Sequence, residues 1–289
     1  MKILVSTDSS SLVNYESLKK YNINVFPLNV IVDGEEFLDG ITINQDQLKD
    51  AMRGNKRINT STPPLGDVIE YFEKLLAQGY DHIIHFTISS KLSSMNQLFN
   101  NVANEHFAGK VTVVDSYGVS ATMLSHVLFA YDEVNKGTPV EQIMQKIEQR
   151  KKSDYIVFIP ENLVALKNGG RISPAIATIG NMLGIKPIIN LTEGELKKEA
   201  MVRNVKKTFV DKLDECLAKY PASEYDYTFI AFDALPAVLN YIYQNATNKL
   251  GDNFVKGIIP INVCAHCGPG TIGMVVSQKI NGKALSEFM

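Results

Sequence analysis

The first half of the chain alternates short apolar runs with longer segments of helical periodicity. The apolar runs predict buried strands over residues 2–7, 24–32, 82–88 and 110–114. Apolar residues at spacings of three and four predict helices over residues 63–78, 93–107, 119–135 and 140–151. Strands separated by helices of this length indicate a mostly parallel sheet with helices on its faces.

The pattern changes after about residue 153. Helices are predicted up to residue 168 and over 174–183, 205–219 and 235–250, and strands over 154–159, 228–232, 258–263 and 271–277. The runs 185–191 and 196–202 flank a Glu193-Gly194 turn and predict a hairpin. The sequence therefore predicts an α/β protein of two domains, a mostly parallel N-terminal domain at 1–153 and an α+β C-terminal domain at 154–289.

Composition narrows the class of protein. Of the 289 residues, 45% are hydrophobic and 21% charged, which is typical of a folded globular chain. The 29 basic and 31 acidic residues nearly balance, which argues against broad contact with nucleic acid. Three cysteines cannot build a disulfide framework, so a reducing compartment is expected. The longest charge-free run, 257–278, contains Pro260 and Pro269, so no transmembrane segment is predicted. The N-terminus has only three apolar residues in a row before Ser6, so no export signal is predicted and the expected location is cytoplasmic.

Hydroxyl-rich segments follow several predicted strands. They are Asp8-Ser9-Ser10, Ser89-Ser90 with Ser93-Ser94, and Asp115-Ser116. The carboxyl ends of parallel strands share one edge of a sheet, where ligands bind. Thr60-Ser61-Thr62 before two prolines, like Ser93-Ser94, is also readable as a helix N-cap. Taken together, hydroxyls and helix N-termini on one side of a sheet favour a carboxylate or a phosphate ligand.

Two motifs near the C-terminus match known site patterns, but neither is interpreted as a binding or redox site. The sequence 268–273, GPGTIG, has the glycine spacing of a dinucleotide site, but a predicted strand follows it where a helix is required. Cys264 and Cys267 form a C-x-x-C without a second ligand cluster, so neither zinc nor redox chemistry is predicted. They are interpreted as small buried cysteines that flank a tight loop.

A hydrolase remains an alternative at this point. The segment 118–121, GVSA, begins like the Gly-x-Ser-x-Gly nucleophile elbow but lacks its last glycine. A triad of Ser93, His266 and Asp115 is compatible with the sequence, because triads are assembled in space rather than along the chain.

As a set, the polar segments resemble the DegV family, bacterial fatty-acid-binding proteins that serve as lipid-carrying subunits of fatty acid kinase. The segments that match in family order are 7–10 (TDSS), 60–63 (TSTP), 89–93 (SSKLS), 114–116 (VDS) with Ser120, 166–173 (LKNGGRIS), 185–187 (IKP), 202–203 (VR) and 265–271 (AHCGPGT). Each segment alone is weak, but their ordered combination across residues 7–271 is specific.

The resemblance implies two α/β domains with one long-chain fatty acid between them, and no catalytic residues, cofactor or metal. The implied fatty-acid-binding residues are Thr60, Ser61, Ser93, Ser94 and His266. Arg171 and Arg203 are implied contacts to the kinase or to the acyl-phosphate. The implied partners are an ATP-dependent kinase subunit, which phosphorylates the bound carboxylate, and an acyltransferase that receives the acyl-phosphate for phospholipid synthesis.

Two positions depart from the family pattern. Leu12 stands where an aspartate is usual, and Ser94-Met95 stands where Gly-Thr usually follows the loop serine. The second change places a larger side chain near the implied carboxylate and leaves the choice of fatty acid open. The apolar segments 172–183 and 123–129 are interpreted either as lining for the acyl tail or as ordinary core. The rival function is an enzyme in the same pocket, a Ser/His hydrolase or a small-molecule phosphotransferase.

Overall fold

The computed structural model describes residues 1–12, 15–173 and 184–289. Its strands are β1 (Ile3–Asp8), β2 (Asn24–Phe26), β3 (Asn29–Val32), β4 (Glu35–Leu38), β5 (Ile58–Ser61), β6 (His82–Thr87), β7 (Val111–Asp115), β8 (Tyr155–Ile159), β9 (Lys186–Thr192), β10 (Glu195–Val202), β11 (Tyr225–Phe232), β12 (Val255–Ile258) and β13 (Thr271–Gln278). Its helices are α1 (Tyr15–Lys19), α2 (Gln45–Arg53), α3 (Leu65–Leu76), α4 (Met95–His106), α5 (Ala121–Asn135), α6 (Val140–Arg150), α7 (Val164–Asn168), α8 (Val205–Lys219), α9 (Pro236–Leu250) and α10 (Ile261–Cys267). The helix predicted over 174–183 lies outside the described residues.

The predicted parallel sheet is confirmed. Four strands lie in the order β2-β1-β6-β7, and each neighbouring pair is parallel. β6 is buried along its whole length, because helices cover both faces of such a sheet. The loops that follow β1, β6 and β7 therefore meet at one edge, where the N–H of Ile88 donates to the Asp8 carboxylate at 2.8 Å.

The apolar run 24–32 forms two strands instead of the one predicted. β2 ends at Phe26 and joins the parallel sheet, whereas β3 belongs to an antiparallel sheet of order β4-β3-β5. Pro27 separates them, since proline cannot donate to a strand ladder. The N-cap interpretation of residues 60–62 is also wrong, because Thr60 and Ser61 lie inside β5 and α3 begins only at Leu65.

A six-stranded sheet occupies the second half of the chain, in the order β10-β9-β8-β13-β11-β12. Only the β11–β12 pair in it is parallel, and the predicted β9–β10 hairpin is confirmed. The strand predicted over 258–263 is wrong, because β12 ends at Ile258 and α10 begins at Ile261 after Pro260. A short apolar run does not distinguish strand from buried helix. Ile261, Cys264 and Ala265 are in fact buried at helical spacing.

The α5 helix joins the parallel sheet to the six-stranded sheet. It contacts β1, β6 and β13, and its residues 121–130 are all buried. The segment 123–129 is therefore core. One apolar cluster contains both Leu4 and Val275, and Arg150 donates to the carbonyl oxygen of Lys279 at 3.0 Å. A boundary between domains at residue 153 thus stays a prediction, although the sheets themselves divide there. No helix in the described residues has the length and apolar character to cross a membrane.

Candidate functional site

A cavity lies between the loops of the parallel sheet and the face of the six-stranded sheet. It encloses about 1100 Å³ of space outside the protein atoms, part of it continuous with solvent. Apolar side chains from both halves of the chain line most of it, among them Leu28, Ile88, Ile156, Phe158, Leu191 and Ile230. Met95, which belongs to the second departure from the family pattern, also lines it. The cavity therefore suits a ligand with a large apolar part.

Four of the five predicted fatty-acid-binding residues line this cavity. Thr60 and Ser61 lie in β5, Ser93 precedes α4, and His266 lies in the last turn of α10. Nε2 of His266 is 2.9 Å from the Thr60 hydroxyl oxygen, although the two residues are 206 positions apart in sequence. We call Thr60, Ser61, Ser93 and His266 the head cluster. It gives the cavity one polar end made of three hydroxyls and an imidazole.

The imidazole of His266 is neutral near pH 7. Burial, and to a smaller extent the positive charge of Arg171, lowers its pKa to about 4. Its Nδ1 atom is buried and has no hydrogen-bond partner among the described residues. Gly169 packs so closely that an added Cβ would lie 2.3 Å from this nitrogen. The ring is thus held in place by packing on one side and by Thr60 on the other.

The other predicted site residues lie at the edge of the head cluster or away from it. Ser94 is exposed, and its hydroxyl oxygen lies 3.0 Å from that of Thr62, a residue that lines the cavity. Arg171 lines the cavity, but it donates through Nε to the carbonyl oxygen of Leu92 at 3.1 Å and through Nη1 to that of Gly169. Arg203 is exposed, one residue beyond β10. The ligand roles of these residues stay predictions.

A second cavity adjoins the head cluster on the solvent side. Thr60, Arg171 and His266 line both cavities. The remaining lining of the second cavity includes exposed polar residues, Asn55, Lys56, Asn59, Asn162 and Asn168. This second cavity, which we call the vestibule, has a mixed polar and apolar lining and gives the head cluster a side that is open to solvent.

The serine triad compatible with the sequence is not assembled. Asp115 accepts hydrogen bonds from the backbone N–H groups of Ser90 and Tyr117, at 3.1 and 3.0 Å, instead of contacting His266. Nε2 of His266 is bonded to Thr60, not to Ser93. A hydrolase needs a nucleophile, a base and a group that orients the base. Among the described residues this geometry supplies no acidic partner for His266.

Cys264 and Cys267 lie within α10, so their interpretation as residues flanking a loop is wrong. Both are buried, and burial raises the pKa of the Cys264 thiol well above its ordinary value. Metal ligation needs the thiolate, which this environment disfavours. In the described part of the chain, no group of three His, Cys, Asp or Glu side chains is placed to hold a metal ion.

A second polar group lines the cavity that sequence reasoning did not identify. Ser10, Ser120 and Asn262, which we call the inner cluster, are almost fully buried at 0, 1 and 6% exposure. Nδ2 of Asn262 donates to the Ser10 hydroxyl at 2.7 Å, and the N–H of Ser120 donates to the Ser10 carbonyl oxygen at 2.7 Å. The sequence singled out Ser10 in the polar segment after β1 and Ser120 among the family segments, but not Asn262, which lies 252 residues beyond Ser10.

Two buried carboxylates hold the inner cluster. Asp8 accepts the N–H groups of Ser10 and Ile88, both at 2.8 Å. Asp39 accepts the Ser9 hydroxyl at 2.9 Å and the N–H of Asn262 at 3.2 Å. Burial raises the pKa of Asp8 to about 6 and that of Asp39 to about 7, although these hydrogen bonds oppose the shift.

A mainly apolar cavity with polar groups at the head cluster and the inner cluster has the lining typical of a small-molecule binding site. A sequence model described as "Uncharacterised protein, DegV family" matches residues 2–279. The chain belongs to the DegV family.

Relatives match over nearly the whole chain. A DegV domain-containing protein of Clostridium acetobutylicum is 28% identical over 284 residues, covering 96% of this chain and 99% of that protein. Among solved structures, a DegV family protein from Thermus thermophilus, described as fatty acid binding, has a TM-score of 0.86 at 24% identity, with 96% and 100% coverage. A stearic acid-binding protein from Eubacterium ventriosum has a TM-score of 0.83 at 23% identity, with 96% and 98% coverage. The likeness to these structures establishes the α/β fold expected from the sequence.

Proposed function

We propose that the chain binds one long-chain fatty acid in the cavity, with its carboxylate at the head cluster and its tail along the apolar walls. The observation that carries this proposal is the cavity itself, which is apolar from Ile88 to Ile230 and polar where Thr60 meets His266. The described fatty-acid binding of the relatives from Thermus thermophilus and Eubacterium ventriosum supports it.

Tail burial supplies the affinity. About 15 methylenes at about 0.8 kcal/mol each give roughly 12 kcal/mol as an upper bound for the transfer of the tail from water. Ordering the flexible tail and immobilising the ligand offset several kcal/mol of this. A dissociation constant below about 1 μM, which needs about 8 kcal/mol, is compatible with the remainder.

The head cluster favours a carboxylate that stays reactive. Its available donors are neutral hydroxyls, and the imidazole that bonds Thr60 is neutral as well, since the pKa of His266 is about 4. Arg171 lines the cavity beside the head cluster, and its Nε and Nη1 groups are engaged by the backbone carbonyl oxygens of Leu92 and Gly169. A bidentate arginine would hold both carboxylate oxygens, whereas single hydroxyl donors leave one oxygen free. The free oxygen is the nucleophile that an attack on a phosphoryl group requires.

We further propose that the protein is a non-catalytic carrier, which presents the carboxylate through the vestibule to a separate ATP-dependent kinase subunit. The resulting acyl-phosphate would pass to an acyltransferase of phospholipid synthesis, in the cytoplasm where ATP is available. The solvent-facing vestibule beside Thr60 and His266 supports this route. A hydrolase in the same pocket is not favoured, because within residues 1–12, 15–173 and 184–289 His266 has neither Ser93 nor an acidic residue as its partner.

The first test is the ligand content of the purified protein. Mass spectrometry of an organic extract should find about one long-chain fatty acid per chain, and added fatty acid should raise the melting temperature of delipidated protein. Leu196→Trp, which fills the cavity, should abolish both results. Lys197→Trp, at the exposed neighbouring position of β10, should retain them. Absence of lipid together with absence of stabilisation would contradict the proposal.

The carrier role is tested separately with the kinase. The protein alone should hydrolyse neither ATP nor acyl esters, and the bound fatty acid should become acyl-phosphate only when kinase and ATP are added. Labelling of Ser93 by a serine-reactive ester probe would instead support a hydrolase.

A further inference from the structure

The inner cluster contains two polar groups whose hydrogen-bonding capacity is not used. The hydroxyl oxygen of Ser120 and Oδ1 of Asn262 are buried, and neither has a hydrogen-bond partner among the described residues. Both residues line the same cavity, at 1 and 6% exposure. Buried polar groups normally find partners, because leaving one unpaired costs its full desolvation. Two such groups in one apolar cavity therefore call for a polar atom of the ligand.

Ser120 is held in this position at a conformational cost. It stands at the N-cap of α5 with φ 58° and ψ −130°, a region that favours glycine. A serine at this position usually caps the helix with its hydroxyl, but Ser120 makes no side-chain cap. Its hydroxyl is thereby left available to the cavity. Strained backbone of this kind is concentrated at ligand sites.

The amide of Asn262 specifies the kind of atom that fits. With Nδ2 bonded to the Ser10 hydroxyl, Oδ1 is an open acceptor. With the amide turned over, Oδ1 would bond Ser10 and Nδ2 would be an open donor. A hydroxyl group satisfies either arrangement, because it both donates and accepts, and it can also pair with the Ser120 hydroxyl. A plain methylene satisfies neither.

We propose that Ser120 and Asn262 form a hydroxyl-binding subsite, so that the cavity takes a fatty acid that carries a hydroxyl group part-way along its chain. This inference rests on the proposed fatty-acid function. The subsite is distinct from the head cluster. Asn262 and His266 are four residues apart on α10, a rise of about 6 Å along the helix axis. A ligand can therefore engage both clusters, with its carboxylate at His266 and its hydroxyl further along the tail.

The subsite is rigid enough to discriminate between ligands. The backbone N–H of Asn262 is bound by the Asp39 carboxylate, and that of Ser10 by Asp8. The side chains of Ser10 and Asn262 are bonded to each other. A buried network of this kind rejects a ligand that leaves its members unpaired.

The test compares stearic acid with a set of hydroxystearic acids that carry the hydroxyl at different carbons. Delipidated wild-type protein should bind at least one isomer about 2- to 10-fold more tightly than stearic acid, as one or two neutral hydrogen bonds provide. Ser120→Ala and Asn262→Leu should each reduce this ratio to about one. Ser116→Ala should keep it. This control removes a buried hydroxyl that lies in the same loop as Ser120. The Ser116 hydroxyl bonds Gly118 and does not contact Ser120 or Asn262.

The outcomes separate the subsite from the proposed function. Stearic acid binding without preference for any isomer would overturn the subsite, and would indicate that water occupies this part of the cavity. A preference that survives in both Ser120→Ala and Asn262→Leu would overturn it too. Failure of every acid to bind would overturn the fatty-acid function and the subsite with it. Melting temperatures of the variants show that a lost preference is not lost folding.

Discussion

The head cluster and the inner cluster line one cavity, but they are built differently. The head cluster consists of half-buried side chains on a strand, a loop and the end of a helix, and its one internal bond joins Thr60 to His266. The inner cluster is almost fully buried and is bonded to Asp8 and Asp39, which in turn hold the backbone of the loop after β1 and the start of α10. We infer that the head cluster serves the ligand, whereas the inner cluster serves both the ligand and the fold.

The largest expected effect follows from removing a carboxylate beneath the inner cluster. Asp8→Ala leaves the buried N–H groups of Ser10 and Ile88 unpaired, which should lower the free energy of unfolding by about 2 kcal/mol or more. Asp115→Ala is the matched control. Asp115 also ends a parallel strand and accepts two N–H groups, but it is only half-buried, so water can replace it and the loss should stay below about 1 kcal/mol. Urea denaturation measures the free energy of unfolding of both variants. Equal losses would contradict the inference that the inner cluster serves the fold.

A change in the head cluster should affect the ligand and spare the fold. Ser93→Ala removes one hydrogen bond to a charged group, about 1.5–3 kcal/mol, so the fatty-acid dissociation constant should rise about 10- to 100-fold. His266→Ala should be milder, because water can take the place of the ring. The free energy of unfolding should fall by less than about 1 kcal/mol for Ser93→Ala, because the variant removes only the long 3.3 Å bond from the N–H of Met95 to the Ser93 hydroxyl.

Ser94→Ala tests whether Ser94, the exposed neighbour of Ser93, takes part in fatty-acid binding, as the sequence predicts. Because Ser94 bonds Thr62 outside the head cluster, we expect at most a severalfold change in the dissociation constant. An effect as large as that of Ser93→Ala would extend the head cluster to Ser94.

The carboxylates beneath the inner cluster should make stability depend on pH. The pKa of Asp39 is about 7 in the folded protein, and an unperturbed aspartate in the unfolded chain has a pKa of about 3.9. The folded state therefore binds more protons between these values, so the contribution of Asp39 to stability is lost as the pH rises from about 4 to about 7. Asp8, with a pKa of about 6, acts in the same direction.

Asp39→Asn isolates this contribution, because it removes the titration and keeps the size of the side chain. The lowered pKa values of His85 and His266 act in the opposite direction, but they are common to both proteins and cancel in the difference. The free energy of unfolding of the variant relative to wild type should rise as the pH rises from about 4 to about 7. A difference that is flat across this interval would show that Asp39 titrates normally.

The smallest expected effect on ligand affinity concerns Arg203. It is exposed at the end of β10, outside both clusters, so Arg203→Ala should leave the fatty-acid dissociation constant unchanged. If it engages the kinase, as the family resemblance implies, the same variant should slow acyl-phosphate formation. Lys198→Ala, which removes a positive charge from exposed β10, should not slow it. Parallel loss of affinity and phosphorylation would indicate misfolding.

Strands and helices that local sequence patterns encode are predicted correctly. The strand β6 is a continuous apolar run and the helix α3 is strongly periodic, and both are predicted to within two residues. Errors arose near prolines. Pro27 divides an apolar run into β2 and β3, and Pro260 precedes a helix that was predicted as a strand. In both segments the apolar residues are identified correctly. The element against which they pack is not identified.

The site was predicted in unequal parts. The head cluster came from the ordered family segments, which contain Thr60, Ser93 and His266. The inner cluster was missed because its contacts join distant positions. Asp39 and Asn262 are 223 residues apart, and neither lies in a pattern that predicts the contact. Only the fold brings these two residues together.

The position of β13 has a consequence for biosynthesis. This strand lies between β8 and β11, yet it is translated after both. The six-stranded sheet therefore cannot be completed until residue 278 has left the ribosome, on the order of ten seconds after β8 emerges at typical synthesis rates. During this interval β8 and β11 each lack a neighbouring strand, and the wall of the cavity that carries Ile156 and Ile230 is unfinished. Under the proposed function, ligand loading should accordingly follow translation of this strand and not accompany the synthesis of the parallel sheet.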